Sequence, residues 1–492
     1  MKKIVFLFAA WITSLGVSAQ IALNMEKALD IAMSSSPTMR KSAMNLERYQ
    51  QTLLAQQASL KSRFSLKLDP VDYSKNRSFD NRLSQWYTNE TFNSSGTFQI
   101  DQPILFTDGV LSLVNRFGWQ DNRSSVDGSE NSNKAFQNNL YLQLSQPIFT
   151  YNRRKMELKE IELDYENAAI SYALQRLDME RRITDQFYAV YMAQDNLNIS
   201  LEELNDARKN FEIIKNKVEA DLAARDELFQ AELNLATAES GSEDRLVALE
   251  NSKDLLKQTL GIALDEPVTI FAEIHVEPVK IDINKAISHA LATRLELRER
   301  EIEAEKLEFQ LVKTKSLNEF KGDISISFGL TGDNNNLGKL YDQPTQSPRV
   351  AVSFMVPLFD WGEKKARVKA QETAILINQL EKTENVKDIE LGIRKTYRNL
   401  ENNQRQIEIA EQNVKNAQLT YDLNAERYRN GDITGMEMNQ FQTQLSSKKM
   451  LLAQARINYK IELLNLKIQT LYDFDLDRSI VPLTSYSQAK KK

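Results

Sequence analysis

A chain of 492 residues with net charge −5 and mixed charges is long enough for two or three ordinary domains and is not built around nucleic acid. It has no cysteine, which excludes a disulfide framework, a thiolate metal site and an acylated cysteine behind any leader. Past the N-terminal leader no apolar run approaches the roughly 18 residues of a spanning helix. A helical membrane domain is thereby excluded, but a β-barrel, whose strands are short and merely alternate, is not.

The elements follow in chain order. Residues 1–19 read as a signal peptide: Lys2 and Lys3 form the basic region, Ile4 to Val17 is mostly apolar, and Val17-Ser18-Ala19 suits cleavage. From Leu23 to about Leu60 the pattern is helical, with Leu29, Ala32 and Met33 on one face and Pro37 interrupting. Phe64 to Leu68 alternates as a half-buried strand does. Asp69 to Asn139 is rich in Asn, Ser, Gly and Asp and reads as loop. Two strands sit inside it, Thr97 to Ile104 and Val110 to Trp119, joined by Thr107-Asp108-Gly109. Asn138 to Ile148 alternates again through Leu140, Leu142 and Leu144. No Gly or Pro occurs from Arg154 to about Ala220, which predicts a helix on the order of 100 Å long. A return helix is expected from Arg225 to Leu260, its apolar residues Leu228, Ala231, Leu235 and Ala238 in steps of three and four.

Gly261 to Ile281, with Pro267, Pro278 and Val268-Thr269-Ile270-Phe271, reads as a small mixed element. Asn284 to about Asn318 is helical. Asp323 to Leu330 and Val350 to Val356 alternate on either side of a polar loop. The helical pattern returns from Lys364 to Tyr472, broken near Asn430-Gly431, before a mixed tail.

The chain says this twice. Pro147-Ile148-Phe149 and Pro357-Leu358-Phe359 each close a strand and open a long helix, 210 positions apart. At the same offset Asp221 faces Gly431 and Phe211 faces Tyr421. A second register, 258 apart, pairs Ala28, Ala32 and Arg40 with Ala286, Ala290 and Arg298. The organisation expected is therefore a first repeat over 20–281, a second over 282–472 and a tail over 473–492. Short strand hairpins cannot hold a sheet alone, so other copies of the chain must complete them. A fibrous coiled coil would suit the narrow Ala-rich stripes but leaves the strands between the helices unexplained.

Four stretches carry a family resemblance. Leu23-Asn24-Met25-Glu26-Lys27-Ala28-Leu29-Asp30-Ile31-Ala32 with Ser36-Pro37 resembles the opening motif of the outer-membrane efflux proteins, the TolC-like family. Ile283 to Ile287 with Arg294 to Arg298 resembles the second-half counterpart, with Leu295 where that family usually has proline. Val356-Pro357-Leu358-Phe359-Asp360-Trp361-Gly362 resembles its strand-to-helix hinge, and Arg427-Tyr428-Arg429-Asn430-Gly431 its second tip. The resemblance implies a mainly α protein with β strands: a homotrimeric α/β-barrel, β in the outer membrane and an α-helical tunnel in the periplasm. Four strands per chain would make twelve. Its partners would be outer-membrane lipid, a periplasmic adaptor protein and an inner-membrane pump, RND-type or ABC exporter. Its function would be passive conduction of small compounds in a tripartite efflux system. The same fold serves as the exit duct of type I secretion, and a periplasmic coiled-coil scaffold is the reading from another class. The first half carries about 48 residues more between its strands, the difference of the two offsets. That added hairpin could widen the wall to six strands, cap the mouth or fold outside.

No catalytic constellation stands out, and neither an enzyme nor a cofactor is expected. His275 and His289 lack metal-ligand spacing and read as packing or surface residues. Carboxylates such as Glu157, Glu160 and Glu162 beside Lys159 read as helix-surface pairs. The resemblance places Tyr428, Glu437, Gln440 and Asp226 at a periplasmic gate. Gln440 stands where the family carries a second acid. Three copies of a charge round an axis would filter cations; the plainer role of Glu437 and Asp226 is to favour a helix start. Ala220, Asp221, Leu222, Ala223, Ala224, Asn430, Gly431 and Gly435 are the adaptor-contact candidates, as small residues at turns. Trp86, Phe98, Phe106, Phe117, Trp119 and Phe149 are candidates for membrane-interface aromatics, or for packing of the added hairpin.

Overall fold

The computed structural model describes residues 21–81, 84–126, 129–271, 274, 276–430 and 432–481. The expected signal segment, His275, Gly431 and the end of the tail lie outside the described residues. The chain opens with β1 (Ile21–Leu23), α1 (Met25–Ser35) and α2 (Pro37–Ser59). Asn24 caps α1, accepting from the Lys27 N–H at 2.8 Å. Pro37 starts α2, where its missing N–H costs nothing. Four strands follow, β2 (Arg63–Asp80), β3 (Gln85–Ile104), β4 (Gly109–Val126) and β5 (Ser129–Ile148). Then come α3 (Arg153–Glu219), α4 (Arg225–Leu260), β6 (Val268–Ile270), α5 (Ile283–Thr293) and α6 (Leu295–Lys315). Next are β7 (Lys321–Asn334), β8 (Thr345–Gln346), β9 (Arg349–Met355), α7 (Glu363–Asn430) and α8 (Gly435–Thr470), closed by β10 (Tyr472–Asp473) and β11 (Arg478–Ser479). The long helices match between halves: α3 and α7 have 67 and 68 residues, α4 and α8 have 36 each.

The chain divides into two compact units that cut across the repeats. One comprises Met1–Met44, Ile170–Leu297 and Glu384–Lys492; the other Asn45–Ala169 and Arg298–Thr383. The first is helical and holds two cores. In one, Met179, Ile183, Val190, Leu197, Leu249 and Leu256 cluster with Ala28 and Ala32. In the other, Ile389, Ile393, Leu400, Ile407, Tyr459 and Leu466 cluster with Ala286 and Ala290. Each large residue has its counterpart 210 positions on, and each alanine 258 positions on. The alanines are fully buried because only a methyl group fits where α1 or α5 lies against the long helices. Tyr459, in the place of Leu249, brings a hydroxyl into this core, and the Val279 N–H donates to it at 3.1 Å. β1 pairs with β6 in parallel, from Ile21 opposite Val268 to Leu23 opposite Ile270; the sequence pattern showed no strand for β1 and began a helix at Leu23, its last residue.

Gly261 ends α4 at φ 77°, and a Cβ there would lie 2.5 Å from the Ser35 carbonyl oxygen at the end of α1. Its repeat partner Leu471 holds φ 50° with a full side chain, so the close approach is the stricter demand. Gly261→Ala is expected to destabilise the protein by about 3 kcal/mol, from overpacking and left-handed strain together. A thermal melt checks this; a midpoint within a degree of wild type would mean that α1 yields freely.

The second unit is built on an antiparallel sheet of six strands, ordered β2-β3-β4-β5-β7-β9, with β8 beside β9 on the β7 edge. The stretch read as loop between 69 and 139 is largely strand: β2 runs on to Asp80, and β3 and β5 begin at Gln85 and Ser129. Both added strands, β3 and β4, lie within the sheet rather than beyond it. Opposed residues share a face. Phe64, Ile100, Leu113, Leu142 and Phe328 form one row, and Leu111, Leu144, Ile326 and Val350 another. This face is apolar and unburied, with Phe64 at 66% and Phe328 at 56% exposure; Asn115 interrupts it. The opposite face carries Arg63, Asp101, Ser112, Gln143, Ser327 and Arg349 in one row.

That row also gives the tilt. Arg63 opens β2 at the helix end of the sheet, yet its row reaches β9 at Arg349, six residues short of the helix end at Met355. Six residues rise roughly 20 Å while five strand steps span roughly 24 Å, a tilt of about 40°, as in closed barrels. Aromatic pairs bracket the apolar rows. Toward the far end Phe92 meets Trp119 at 5.8 Å and Phe117 meets Phe136 at 6.2 Å. At the helix end Phe149, Phe320 and Phe354 follow one another at 5.3 and 5.5 Å. From Phe136 to Ile148, β5 gains about 30 Å of height at this tilt, the thickness of a bilayer core.

The turn of the added hairpin is tied to α3. The buried Asp108 carboxylate accepts from Arg153 Nε at 3.2 Å and Arg154 Nη1 at 2.9 Å. It also takes the N–H groups of Arg153 and Arg154 at 3.3 and 3.4 Å. At the matching hinge Asp360 caps α7, accepting from the Gly362 and Lys364 N–H groups at 3.0 and 3.1 Å, while Gly362 takes φ 83°. The N–H bonds of Lys364 and then Gly362 hold the Asp360 carboxyl below the usual carboxylate range. Three ion pairs join α6 to α3: Arg298 with Glu166 at 2.8 Å, Lys306 with Asp164 and Lys313 with Glu160 at 2.5 and 2.6 Å. Glu160 thus pairs between helices rather than along its own, whereas Lys159 and Glu162 pair within α3 at 3.6 Å.

Candidate functional site

The two helical turns of the first unit follow one design. The Leu222 N–H donates to the Lys217 carbonyl at 2.7 Å, and the Asp432 N–H to the Arg427 carbonyl at 2.8 Å, the same bond displaced by 210 positions. Asp221, just before Leu222, takes φ 58° and is the left-handed residue that ends α3; the residue 210 positions on in the sequence is Gly431. Ala220, Asp221, Leu222 and Ala224 are exposed and Ala223 half-buried; Leu222 is 78% exposed. Phe229 and Leu233 extend the same uncovered apolar character along α4. Asn430 ends α7 and is exposed.

The second turn opens α8 with a capping box. The Glu437 N–H donates to Thr434 Oγ1 at 3.3 Å, and Glu437 Oε2 accepts from the Thr434 N–H at 2.8 Å. The Thr434 N–H and then its hydroxyl hold the Glu437 carboxyl below the usual carboxylate range, so it is charged at neutral pH. Tyr428, two residues before the end of α7 at Asn430, donates its hydroxyl to Asn210 Oδ1 on α3. Gly435 packs against the same amide: a Cβ there would lie 3.1 Å from Asn210 Nδ2. Burial, and then the nearby Glu227 carboxylate, push the Tyr428 hydroxyl up, which keeps it a donor. A second bond, Gln442 Nε2 to Asp206 Oδ2 at 2.7 Å, joins α8 to α3. These bonds edge a cavity of about 290 Å³ lined by Asp206, Asn210, Ile213, Tyr421, Tyr428 and Met438.

Tyr428 and Gly435 are therefore brought together, at Asn210. Glu437 is turned onto its own helix start. Gln440 and Asp226 are exposed on α8 and α4. His289 is a packing residue, its Nδ1 2.8 Å from the Thr470 carbonyl oxygen and its ring 5.0 Å from that of Tyr472. Among the described residues there is no cluster able to hold a metal, and no helix long and apolar enough to cross a membrane.

A sequence profile described as Outer membrane efflux protein matches residues 111–261 and 286–468, more than half of the chain. The chain belongs to the outer membrane efflux protein family. This efflux-family chain is similar to Outer membrane protein TolC of Escherichia coli (strain K12), 22% identical over 351 residues, 68% of this chain and 70% of TolC. Its fold is that of solved outer-membrane channels. The CmeC channel of Campylobacter jejuni superposes with TM-score 0.70 at 14% identity, covering 95% of this chain and 89% of CmeC. VceC of Vibrio cholerae gives 0.66 at 13% identity, with 93% and 96% covered. MtrE of Neisseria gonorrhoeae gives 0.65 at 13%, with 93% and 90% covered. The protein is thus an outer-membrane channel protein that extends into the periplasm, mainly α with β, as the four motifs implied.

Sequence reading of this efflux protein missed Asn210, Asp206 and Gln442, whose partners lie 218 and 236 positions away. It also passed over Thr434-Gly435-Met436-Glu437, a capping-box pattern that is legible in the sequence.

Proposed function

We propose that the protein is the outer-membrane exit duct of a tripartite efflux system, working as a homotrimer and conducting small compounds passively. The observation that carries this reading is the sheet with one apolar and one polar face, tilted by about 40° and open at β2 and β9. Such edges need partners, and a ring of identical chains supplies them by joining β9 of one to β2 of the next. Lipid covers the apolar face, and the polar face lines the pore. The helical turns around Leu222 and Asn430 meet a periplasmic adaptor, which links the duct to an inner-membrane pump. Tyr428, Glu437, Gln440 and Asp226 form the periplasmic gate, with the Tyr428 bond to Asn210 holding α7 against α3 in the closed form. A channel needs no catalytic group, and the duct adds no chemistry of its own.

Detergent-extracted protein run on native gels and inserted into planar bilayers tests this. The expected result is a trimer with discrete conductance steps. A soluble, non-conducting species would overturn it.

A further inference from the structure

The two repeats match core for core in the first unit, but they do not match in the sheet. The first supplies four strands, β2 to β5, and the second supplies β7 and β9 with the short β8. The added pair is continuous with its neighbours by three measures. β4 pairs with β3 along its whole length, from Val126 opposite Tyr87 to Gly109 opposite Ile104. They keep the faces of the rest of the sheet: Phe98, Ile100, Leu111 and Leu113 fall on the apolar face, Gln99 and Ser112 on the polar one. Their turn is held at the helix end by Asp108, at the level where β5 passes into α3. A hairpin lying outside the wall would have no reason to share face, tilt and anchor with the strands beside it.

We propose that β3 and β4 stand in the membrane wall, so that the pore is a barrel of eighteen strands, three chains of six. This rests on the trimer proposed above. At ~4.8 Å between strands and ~40° of tilt, eighteen strands measure about 36 Å across the backbone, against about 24 Å for twelve. The polar face pairs opposite charges, as Arg63 with Asp101 at 3.3 Å, so no strong net field arises there. The outer bore therefore admits bulky hydrophilic cargo, and size selection falls to the helical turns.

The chain has no cysteine, so single cysteines can carry a fluorophore without background. Phe98→Cys and Leu113→Cys are labelled in liposomes containing nitroxide-bearing phosphatidylcholine. Leu142→Cys and Phe328→Cys serve as references, and Gln99→Cys and Ser112→Cys as the inward set. Expected is quenching at 98 and 113 as strong as at 142 and 328, with the inward set reached instead by a water-soluble thiol reagent. The unmodified protein, viewed end-on by electron microscopy, should show a ring of about 36 Å. Native mass spectrometry counts the copies independently. Three copies without quenching at 98 and 113, or with a ring of about 24 Å, overturn the wall placement and leave the trimer standing. Any other copy number overturns the strand count by removing the trimer itself, whatever the quenching shows.

Discussion

Asp108→Ala lowers the thermal midpoint of the protein more than any exposed substitution. Asp108 is the point at which the β3–β4 turn and the start of α3 hold each other, and its side chain is almost wholly buried. Its removal leaves Arg154, only 26% exposed, without an anion and strips an N-terminal cap from a helix of 67 residues. Breaking a buried pair costs about 3 kcal/mol at the low end of its range, and Arg153, which can turn to water, argues for that end. Asp108→Asn keeps the cap but loses the charge and should fall between the two. Circular dichroism during heating measures all three. Equal midpoints for the alanine variant and the wild type would show that the turn is held by the strand ladder alone.

Tyr428→Phe combined with Glu437→Ala raises single-channel conductance. Each chain loses one bond between α7 and α3 and one capping box, and the first alone is worth about 1 kcal/mol. In a trimer the closed form loses about 3 kcal/mol, a shift in the closed–open balance on the order of 100-fold. Asn210→Ala should mimic Tyr428→Phe, and combining the two should add little, because they remove one bond. Planar-bilayer recordings decide it. Unchanged conductance in the double variant would strip both residues of a gating role. Strict additivity of Asn210→Ala and Tyr428→Phe would instead mean that they act apart.

What the sequence disclosed followed physical periodicity. Helices α3, α4, α7 and α8 were legible because Gly and Pro are absent from most of their length and their ends carry turn residues. The strand cores at Phe64–Leu68 and Asn138–Ile148 were legible because one face is apolar. Beyond Phe92 and Phe117 polar residues such as Asn76, Asn89, Asn122 and Asn133 dominate both faces, and the strands add ion pairs and polar bonds such as Lys75 with Glu90 and Ser132 with Asp121 to their backbone ladder. A period of two cannot show when both faces are polar, so these stretches read as loop. Asp108 showed only as part of a turn signal, since its arginines arrive 45 and 46 positions later. The bond between Tyr428 and Asn210 left no trace at all, because no local pattern ties residues on different helices.

The correspondence of the two helical cores has a consequence for symmetry. In the proposed trimer, three such chains would carry six nearly equivalent core blocks, pseudo-sixfold with threefold order. At the turns such a ring would alternate Ala220-Asp221-Leu222 with Asn430-Gly431-Asp432, setting Leu222 where the other half has Asp432. A partner that ignores that difference can dock six times, and one that reads it can dock only three. The stoichiometry of such an assembly would then depend on how its partner reads two turns that share one closing bond but differ in side chain at every position from 220 and 430 to 226 and 436.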